Sequence, residues 1–203
     1  NQSIDIREDY LLKKDNLLEI LLQDKTTGAT ILWATDSYDS NGHLFAPTAN
    51  ITTDLITGAL GSLIQPRALK SKTEQLYRTR EKAEVFTPLS IVKHMNEACD
   101  AKRITKNNWQ EYVTLLKLEI TCGEAPYIVS RYDPVSDSQE LVPLSKRVGF
   151  LDYKMRVVSK YCDTVEDWIK WAKIAFQSSY GYEWQGDSLL IARENLLYTF
   201  IDY

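Results

Sequence analysis

Short strand-like segments alternate with helical ones in the second half of the chain, and this order constrains the fold more than any other feature. LKLEIT at 116–121 has the composition of a buried strand, and APYIVSRY at 125–132 is typical of a helix opening. A helix predicted at 163–179 is followed by a short strand at 180–184 and by a helix at 186–200. Strands that alternate with helices usually pair in parallel, so we expect an α/β fold with a parallel sheet.

The N-terminal part of the chain carries weaker patterns. Leucines recur at helical intervals in 9–23, and ATILWAT at 29–35 follows a turn signal, so we predict an amphipathic helix and then a strand. Residues 36–66 are rich in Asp, Ser, Asn, Gly and Pro, which predicts loop with short elements. We therefore expect 1–80 to be an extension of mixed and helical structure, and 81–203 to be the main domain.

Helix starts can be predicted from capping residues. Thr87 is a suitable cap and Pro88 suits the first helical position, so we expect a helix to begin there. Asp187 or Ser188 is expected to cap the last helix. The stretch 147–160 fits a strand or a helix equally well.

The composition excludes several classes of protein. With 203 residues, 44% of them hydrophobic and 26% charged, the chain can form one folded domain with an extension. It has no apolar run of about eighteen residues and no apolar N-terminal segment, so we expect neither a membrane span nor a secretory signal. The chain opens on Asn1 and closes within an apolar periodic pattern, from which we expect a piece of a longer gene product.

The three cysteines, Cys99, Cys122 and Cys162, are odd in number and far apart. Their spacing forms neither a disulfide framework nor a zinc site, and the two histidines, His43 and His94, have no ligand-spaced neighbours. We therefore expect reduced cysteines in a cytoplasmic protein that has no structural metal.

One stretch is basic, although the whole chain has a net charge of −4. Six basic and two acidic residues give it a local net charge of +4: Arg67, Lys70, Lys72, Arg78, Arg80 and Lys82, against Glu74 and Glu81. Such a cluster can neutralise the phosphates of DNA, and all of its basic residues except Lys82 are candidates for that role. A solvated helix face is an equally good interpretation, because Glu74 and Arg78 have the spacing of a surface ion pair.

Ligands of parallel α/β sheets bind beyond the carboxyl ends of the strands, which directs attention to the two predicted strand exits. At the first exit, Gly123 lets a ligand approach the backbone, although a plain corner between a strand and a helix also needs a single glycine. At the second exit, Glu183 can accept hydrogen bonds from two ribose hydroxyls, and Trp184 can stack on a base. An ordinary surface carboxylate is the alternative for Glu183.

Three segments, in their order along the chain, resemble the N6-adenine DNA methyltransferases of restriction–modification systems. The first, AEVFTP at 83–88, is similar to the family's G-x-F-F-T-P motif. The third, GYEWQGDSLLIARENL at 181–196, is similar to a motif in which G-x-E is followed, after eight positions, by A-x-x-N-L. Glu183 then matches the ribose-binding acid, and Trp184 matches the residue that packs on adenine. Phrases such as IQPRALKSK extend the resemblance, over most of 20–203, to proteins labelled restriction endonuclease subunit M.

The second segment, LEITCGEAPY at 118–127, is similar to the family's D-P-x-C-G-S-G-x-F motif. Cys122 and Gly123 match it, and Glu119 stands at the acidic position. Ala125 replaces the second glycine of the motif.

The resemblance implies a partial Rossmann-like fold of the S-adenosylmethionine-dependent methyltransferases, with a site for S-adenosylmethionine. The residues implied to line that site are Phe86, Thr87 and Pro88 at the methionine end, Glu119, Cys122, Gly123 and Ala125 at the first strand, Glu183 at the ribose and Trp184 at the adenine. The resemblance further implies methyl transfer to adenine in double-stranded DNA, with other restriction–modification subunits as partners.

The family's catalytic motif, Asn/Asp-Pro-Pro-Tyr/Phe, is absent from the chain, which has six prolines but no Pro-Pro pair. We therefore expect the chain to hold the cofactor half of the site, with the catalytic residues unknown. Two other functions stay open. A non-catalytic DNA-recognition subunit would keep the fold without the cofactor. A magnesium-dependent restriction endonuclease would use Asp133 and Asp152 as metal ligands, with Lys154 activating water.

Overall fold

The computed structural model describes residues 16–100, 104–136 and 140–203. The α-helices in these ranges are α1 (Leu17–Leu22), α2 (Lys72–Glu81), α3 (Leu89–Cys99), α4 (Trp109–Thr114), α5 (Phe150–Tyr161), α6 (Val165–Gln177) and α7 (Gly186–Asp202). The strands are β1 (Lys117–Ile120) and β2 (Ser179–Tyr182). Short 3₁₀ helices lie at Asp39–Asn41, His43–Phe45, Thr53–Leu55, Gly58–Leu60, Arg67–Leu69 and Leu144–Lys146. The first part of the helix predicted at 9–23 lies outside the described residues. None of the helices in the described ranges is both long and apolar enough to cross a lipid bilayer.

β1 and β2 pair in parallel, as the alternation of strands and helices predicted, with Glu119 opposite Gly181. One face of this two-stranded sheet packs against residues that follow β1, since a Cβ added at Gly181 would come within 2.8 Å of the side chain of Ile128. The other face is open, since Leu118 and Ile120 are 49% and 69% exposed. The prediction of a buried strand was wrong for this face, because nothing among the described residues covers it.

The chain turns sharply after β1 and does not open a helix at 125–132, so that prediction was wrong. Thr121, Gly123 and Ala125 have left-handed backbone conformations, with φ of 54°, 54° and 65°. Pro126 contributes to the turn, because a proline disfavours the right-handed helical conformation in the residue before it. The apolar spacing in this stretch therefore belongs to a buried corner.

α5 takes the place of the helix expected directly after the first strand. Its first amides, of Phe150 and Leu151, donate to the carbonyl oxygens of Tyr127 and Ile128 at 2.8 and 2.9 Å. The corner thus supplies carbonyl acceptors for N–H groups that have no partner within the first turn of the helix. The ambiguous stretch 147–160 is mostly helical for this reason.

Helix starts agree with the sequence signals only in part. Thr164 caps α6 at the start of the helix predicted at 163–179, and its hydroxyl accepts a hydrogen bond from the amide of Asp167. α3 begins at Leu89, because Pro88 keeps an extended conformation with ψ of 144°. Thr87 therefore does not cap α3, and that prediction was wrong.

The strand predicted at 29–35 is not formed as a continuous element. It forms only two isolated antiparallel bridges, in which Thr30 pairs with Gln23 and Leu32 pairs with Asn50. Ala34 interrupts the extended backbone with a φ of 50°. The following stretch, 36–66, is loop with short 3₁₀ turns, as predicted.

Two large hydrophobic clusters hold the chain together. One packs α4, α5 and α6 around Val113, Leu151 and Ala172. The other buries Trp33, from the N-terminal extension, in a cluster with Leu190 of α7. The extension therefore packs on the last helix of the domain.

Candidate functional site

A cavity of about 450 Å³ opens at the carboxyl ends of β1 and β2, where the segment 82–87 crosses them. Its volume is in the usual range for small-molecule sites. Seven of the nine predicted ligand-site residues line it: Phe86, Thr87, Glu119, Cys122, Gly123, Glu183 and Trp184. The other two are outside the lining, since Pro88 is exposed just before α3 and Ala125 is fully buried.

Glu183 joins the two strand exits. Its Oε2 accepts a hydrogen bond from the amide of Gly123 at 2.6 Å. Its Oε1 accepts from the amides of Trp184 and Gln185 at 2.9 and 3.0 Å. A carboxylate offers roughly four acceptor positions, so about one position stays open to a ligand.

Gly123 is required both by its backbone conformation and by a neighbouring ring. Its φ is +54°, and a Cβ added there would lie 3.1 Å from Cε1 of Phe86. The ring of Phe86 therefore rests on Gly123. This contact brings the segment 82–87 onto the first strand exit.

Glu119 and Cys122 are neutral groups of the cavity wall at neutral pH. Burial raises the pKa of Glu119 from 4.5 to about 8, hydrogen bonds from the amides of Tyr127 and Ile128 oppose that rise, and the charge of Glu183 adds to it. Burial also raises the pKa of the Cys122 thiol to about 12, with further contributions from Glu119 and Glu183. A thiol of this kind is a poor nucleophile.

Glu119→Gln should lose less stability than the wild type between pH 5 and pH 8. The carboxyl loses its proton near 4.5 when unfolded and near 8 when folded. Between pH 4.5 and about pH 8 the unfolded state therefore binds fewer protons than the folded state. The free energy of unfolding of the wild type consequently falls as the pH rises through this range. An amide cannot ionise, so we expect the free energy of unfolding of the variant, relative to that of the wild type, to be about 1–3 kcal/mol higher at pH 8 than at pH 5. The hydrogen bond that one main-chain amide loses to the side-chain NH₂ is the same at both pH values and does not affect this difference.

Urea unfolding at both pH values measures this effect, with Glu111→Gln, exposed on α4, as the control. If the free energy of unfolding changes equally with pH in the wild type and in Glu119→Gln, the carboxyl of Glu119 is not protonated in the folded state.

The cavity wall contains both acidic and aromatic side chains. With Glu119 neutral, two further carboxylates, Glu84 and Glu183, line it with one ammonium, that of Lys82. Trp184 lines the cavity and is 82% exposed, so its indole is free to stack on a flat ligand. Such a wall suits an organic cation that carries an aromatic ring better than it suits a phosphate.

Three of the five basic residues predicted to contact DNA have buried side chains. Arg67, Lys70 and Arg78 are 8%, 8% and 4% exposed, so their charges do not reach a phosphate backbone in this structure. The prediction of DNA contact was wrong for these three. The alternative of a solvated helix face fails for them as well, but it fits most of the rest of α2, where Arg78 forms the expected ion pair with the exposed Glu74 at 3.4 Å. Lys72 and Arg80 are exposed on α2 and stay candidates.

Arg78 is held by groups from separate parts of the chain. Its Nη1 contacts Oδ2 of Asp187 at 3.1 Å and Oε1 of Glu84 at 3.2 Å. Its Nη2 donates to the hydroxyl of Tyr38 at 3.0 Å, and that hydroxyl donates to Asp187 at 2.7 Å. Asp187, one of two expected caps of α7, is instead the counterion of a buried arginine.

A second buried polar cluster, formed by Glu124, Tyr132 and Asn195, lies behind the corner. Glu124 accepts from the amide of Arg67 at 2.6 Å and from the hydroxyl of Tyr132 at 2.8 Å. Asn195 donates to the carbonyl oxygen of Glu124 and to the hydroxyl of Tyr132, both at 3.0 Å. One local signal points to this cluster: Asn195 is a polar residue within the apolar pattern of the last helix.

The three residues of the nuclease alternative do not meet at a common opening. Asp152 is fully buried and accepts main-chain hydrogen bonds. Lys154 is also fully buried, and its ammonium donates to Ser178. Asp133 accepts from the amide two residues on, which is a turn. Within the described ranges, no three His, Cys, Asp or Glu side chains are placed to hold a metal ion.

Comparison of the chain with protein-family models, with curated proteins and with solved structures finds no match. Any functional conclusion therefore depends on the residues of the cavity and on their geometry.

Proposed function

We propose that this chain binds S-adenosylmethionine and is the cofactor-binding portion of a DNA adenine-N6 methyltransferase of the restriction–modification type. One observation carries the proposal. Three segments that are distant in sequence, 82–87, 119–127 and 183–188, contribute to one cavity at the carboxyl ends of β1 and β2. Cofactors bind at this edge of a parallel sheet in Rossmann-like folds, and such a fold is part of the proposal.

In this proposal the cofactor extends past Gly123, from Phe86 and Thr87 to Trp184. Phe86 and Thr87 cover the methionine end, and Trp184 stacks on the adenine. Glu183 accepts a hydrogen bond from the ribose through its open acceptor position. The sulfonium and ammonium groups of S-adenosylmethionine are cations, which an acidic wall attracts.

The remaining predicted residues support the cavity in different ways. Glu119 and Cys122 supply a neutral part of its wall. Ala125 turns the chain at the corner, and Pro88 directs the chain from the segment 82–87 into α3. Only the first two of these four would contact the cofactor.

Double-stranded DNA and other restriction–modification subunits are the partners in this proposal, and the cytoplasm is the compartment. Lys72 and Arg80 are the predicted DNA contacts that the structure leaves exposed. Methyl transfer would further need an Asn-Pro-Pro-Tyr-type motif, which this chain does not carry.

Calorimetric titration with S-adenosylmethionine tests the proposal, and Glu183→Gln should weaken binding about tenfold, because a hydrogen bond to a charged group is lost. In this variant the side-chain NH₂ group also faces main-chain N–H groups, which need an acceptor and not a second donor. Glu166→Gln, exposed on α6, is the matched control and should bind like the wild type.

Equal affinities of wild type and Glu183→Gln would remove Glu183 from the site. No heat from folded wild-type protein at millimolar cofactor would contradict the proposal. It would favour the non-catalytic recognition subunit, with which the three main-chain hydrogen bonds already made by Glu183 agree.

A further inference from the structure

Arg67 lies behind the cavity wall. Its guanidinium carbon is 5.0 Å from the centre of the Phe86 ring. The same ring rests on Gly123, where an added Cβ would be 3.1 Å from it. Arg67, Phe86 and Gly123 therefore form a continuous contact from the basic stretch to the first strand exit.

Arg67 is itself fixed by several groups. Its Nη2 donates to the hydroxyl of Thr79 at 3.0 Å, and its Nη1 lies 3.6 Å from the carboxylate of Glu84. Its main-chain amide donates to Glu124 at 2.6 Å. These contacts restrict the position of the guanidinium, and the side chain of Arg67 is only 10% exposed.

We propose that Arg67 is a positioning residue of the ligand cavity, which keeps Phe86 against Gly123 and so fixes the wall formed by the segment 82–87. The guanidinium is required for this role because it is planar and weakly hydrated and packs well on an aromatic ring. The ammonium of a lysine is compact and strongly hydrated. The inference rests on the proposed function for the identity of the ligand, whereas the contact itself does not depend on it.

A double-mutant cycle in S-adenosylmethionine affinity tests this role. Arg67→Lys and Phe86→Leu should each weaken binding about fivefold, and the double variant should also lose about fivefold, because both changes remove the same contact. Lys173→Arg, exposed on α6, exchanges the same two basic side chains in the opposite direction; it is the matched control and should bind like the wild type. A loss of about twenty-five-fold in the double variant, the product of two independent effects, would overturn the proposal. Wild-type affinity in Arg67→Lys would overturn it as well.

Amide hydrogen exchange of the ligand-free protein gives a second readout. The amides of Glu84 and Gly123 donate hydrogen bonds at 3.2 and 2.6 Å. In Arg67→Lys both should exchange at least about fivefold faster, while the amides of α6 keep their rates, because the expected opening is local. Unchanged exchange at Glu84 and Gly123 contradicts the positioning role, and so does equal acceleration in α6, which indicates general destabilisation. If the wild type binds no S-adenosylmethionine, the proposed function fails, and the exchange rates still decide the role of Arg67.

Discussion

Replacing Arg78 with methionine is expected to lower the free energy of unfolding by about 3–5 kcal/mol, because the change leaves the buried carboxylate of Asp187 without its counterion. Arg78 is 4% exposed and contacts Asp187, Glu84 and Tyr38. Methionine fills much of the same space, so lost packing contributes little. Urea unfolding followed by circular dichroism measures the change.

The environment of Arg78 explains the size of this effect. Burial alone would lower the pKa of the guanidinium, yet Tyr38, Asp187 and Glu84 hold it above its ordinary value. These neighbouring groups therefore keep the guanidinium charged despite its burial. Asp187→Asn in the Arg78→Met background should recover part of the loss, because it removes the carboxylate that has lost its counterion.

Arg80→Met is the control, since Arg80 lies on the same helix and is exposed. It should change the free energy of unfolding by less than about 0.5 kcal/mol. Equal small losses in Arg78→Met and Arg80→Met would mean that the buried ion pairs contribute nothing measurable to stability.

The burial of Arg78 could not be predicted from the sequence around it. The residue lies in a polar stretch with charged neighbours, which is typical of a solvated helix face. Its partners Asp187 and Tyr38 are 109 and 40 residues away. Spacing rules for side-chain pairs reach about one helical turn, so they detect the pair with Glu74 and miss the contacts that bury the guanidinium.

The residues of the cavity were easier to predict, because strand exits have local signals and parallel pairing brings the exits together. Gly123 follows one predicted strand and Glu183 lies at the end of the other, and the two residues are hydrogen-bonded in the structure although 60 residues separate them. The helix expected at 125–132 was wrong because backbone geometry at Ala125 and Pro126 overrides the apolar spacing. The protonation of Glu119 depends on burial, which only the folded chain defines.

Gly186→Ala is expected to destabilise the protein by at least about 3 kcal/mol, because the contact at this position is with main-chain atoms. Gly186 opens α7, and its amide donates to the carbonyl oxygen of Trp33 at 2.9 Å. A Cβ at this position would overlap the carbonyl oxygen of Leu32 and lie 2.9 Å from the side chain of Ile51. A backbone carbonyl cannot rotate away as a long side chain can, so the N-terminal extension and α7 would have to separate.

Gly28→Ala is the matched control for this variant. Gly28 has a φ of +76° with open space around it, so alanine there meets backbone strain alone, about 1–2 kcal/mol. Urea unfolding compares the two variants, and a loss in Gly186→Ala no greater than that in Gly28→Ala would mean that the extension does not press on α7. Gly186 is three residues beyond Glu183, so separation at this point should also weaken the proposed binding of S-adenosylmethionine, whereas Gly28→Ala should leave the affinity unchanged. The extension would then support the proposed cofactor site through the start of α7, as Arg67 is proposed to do through Phe86.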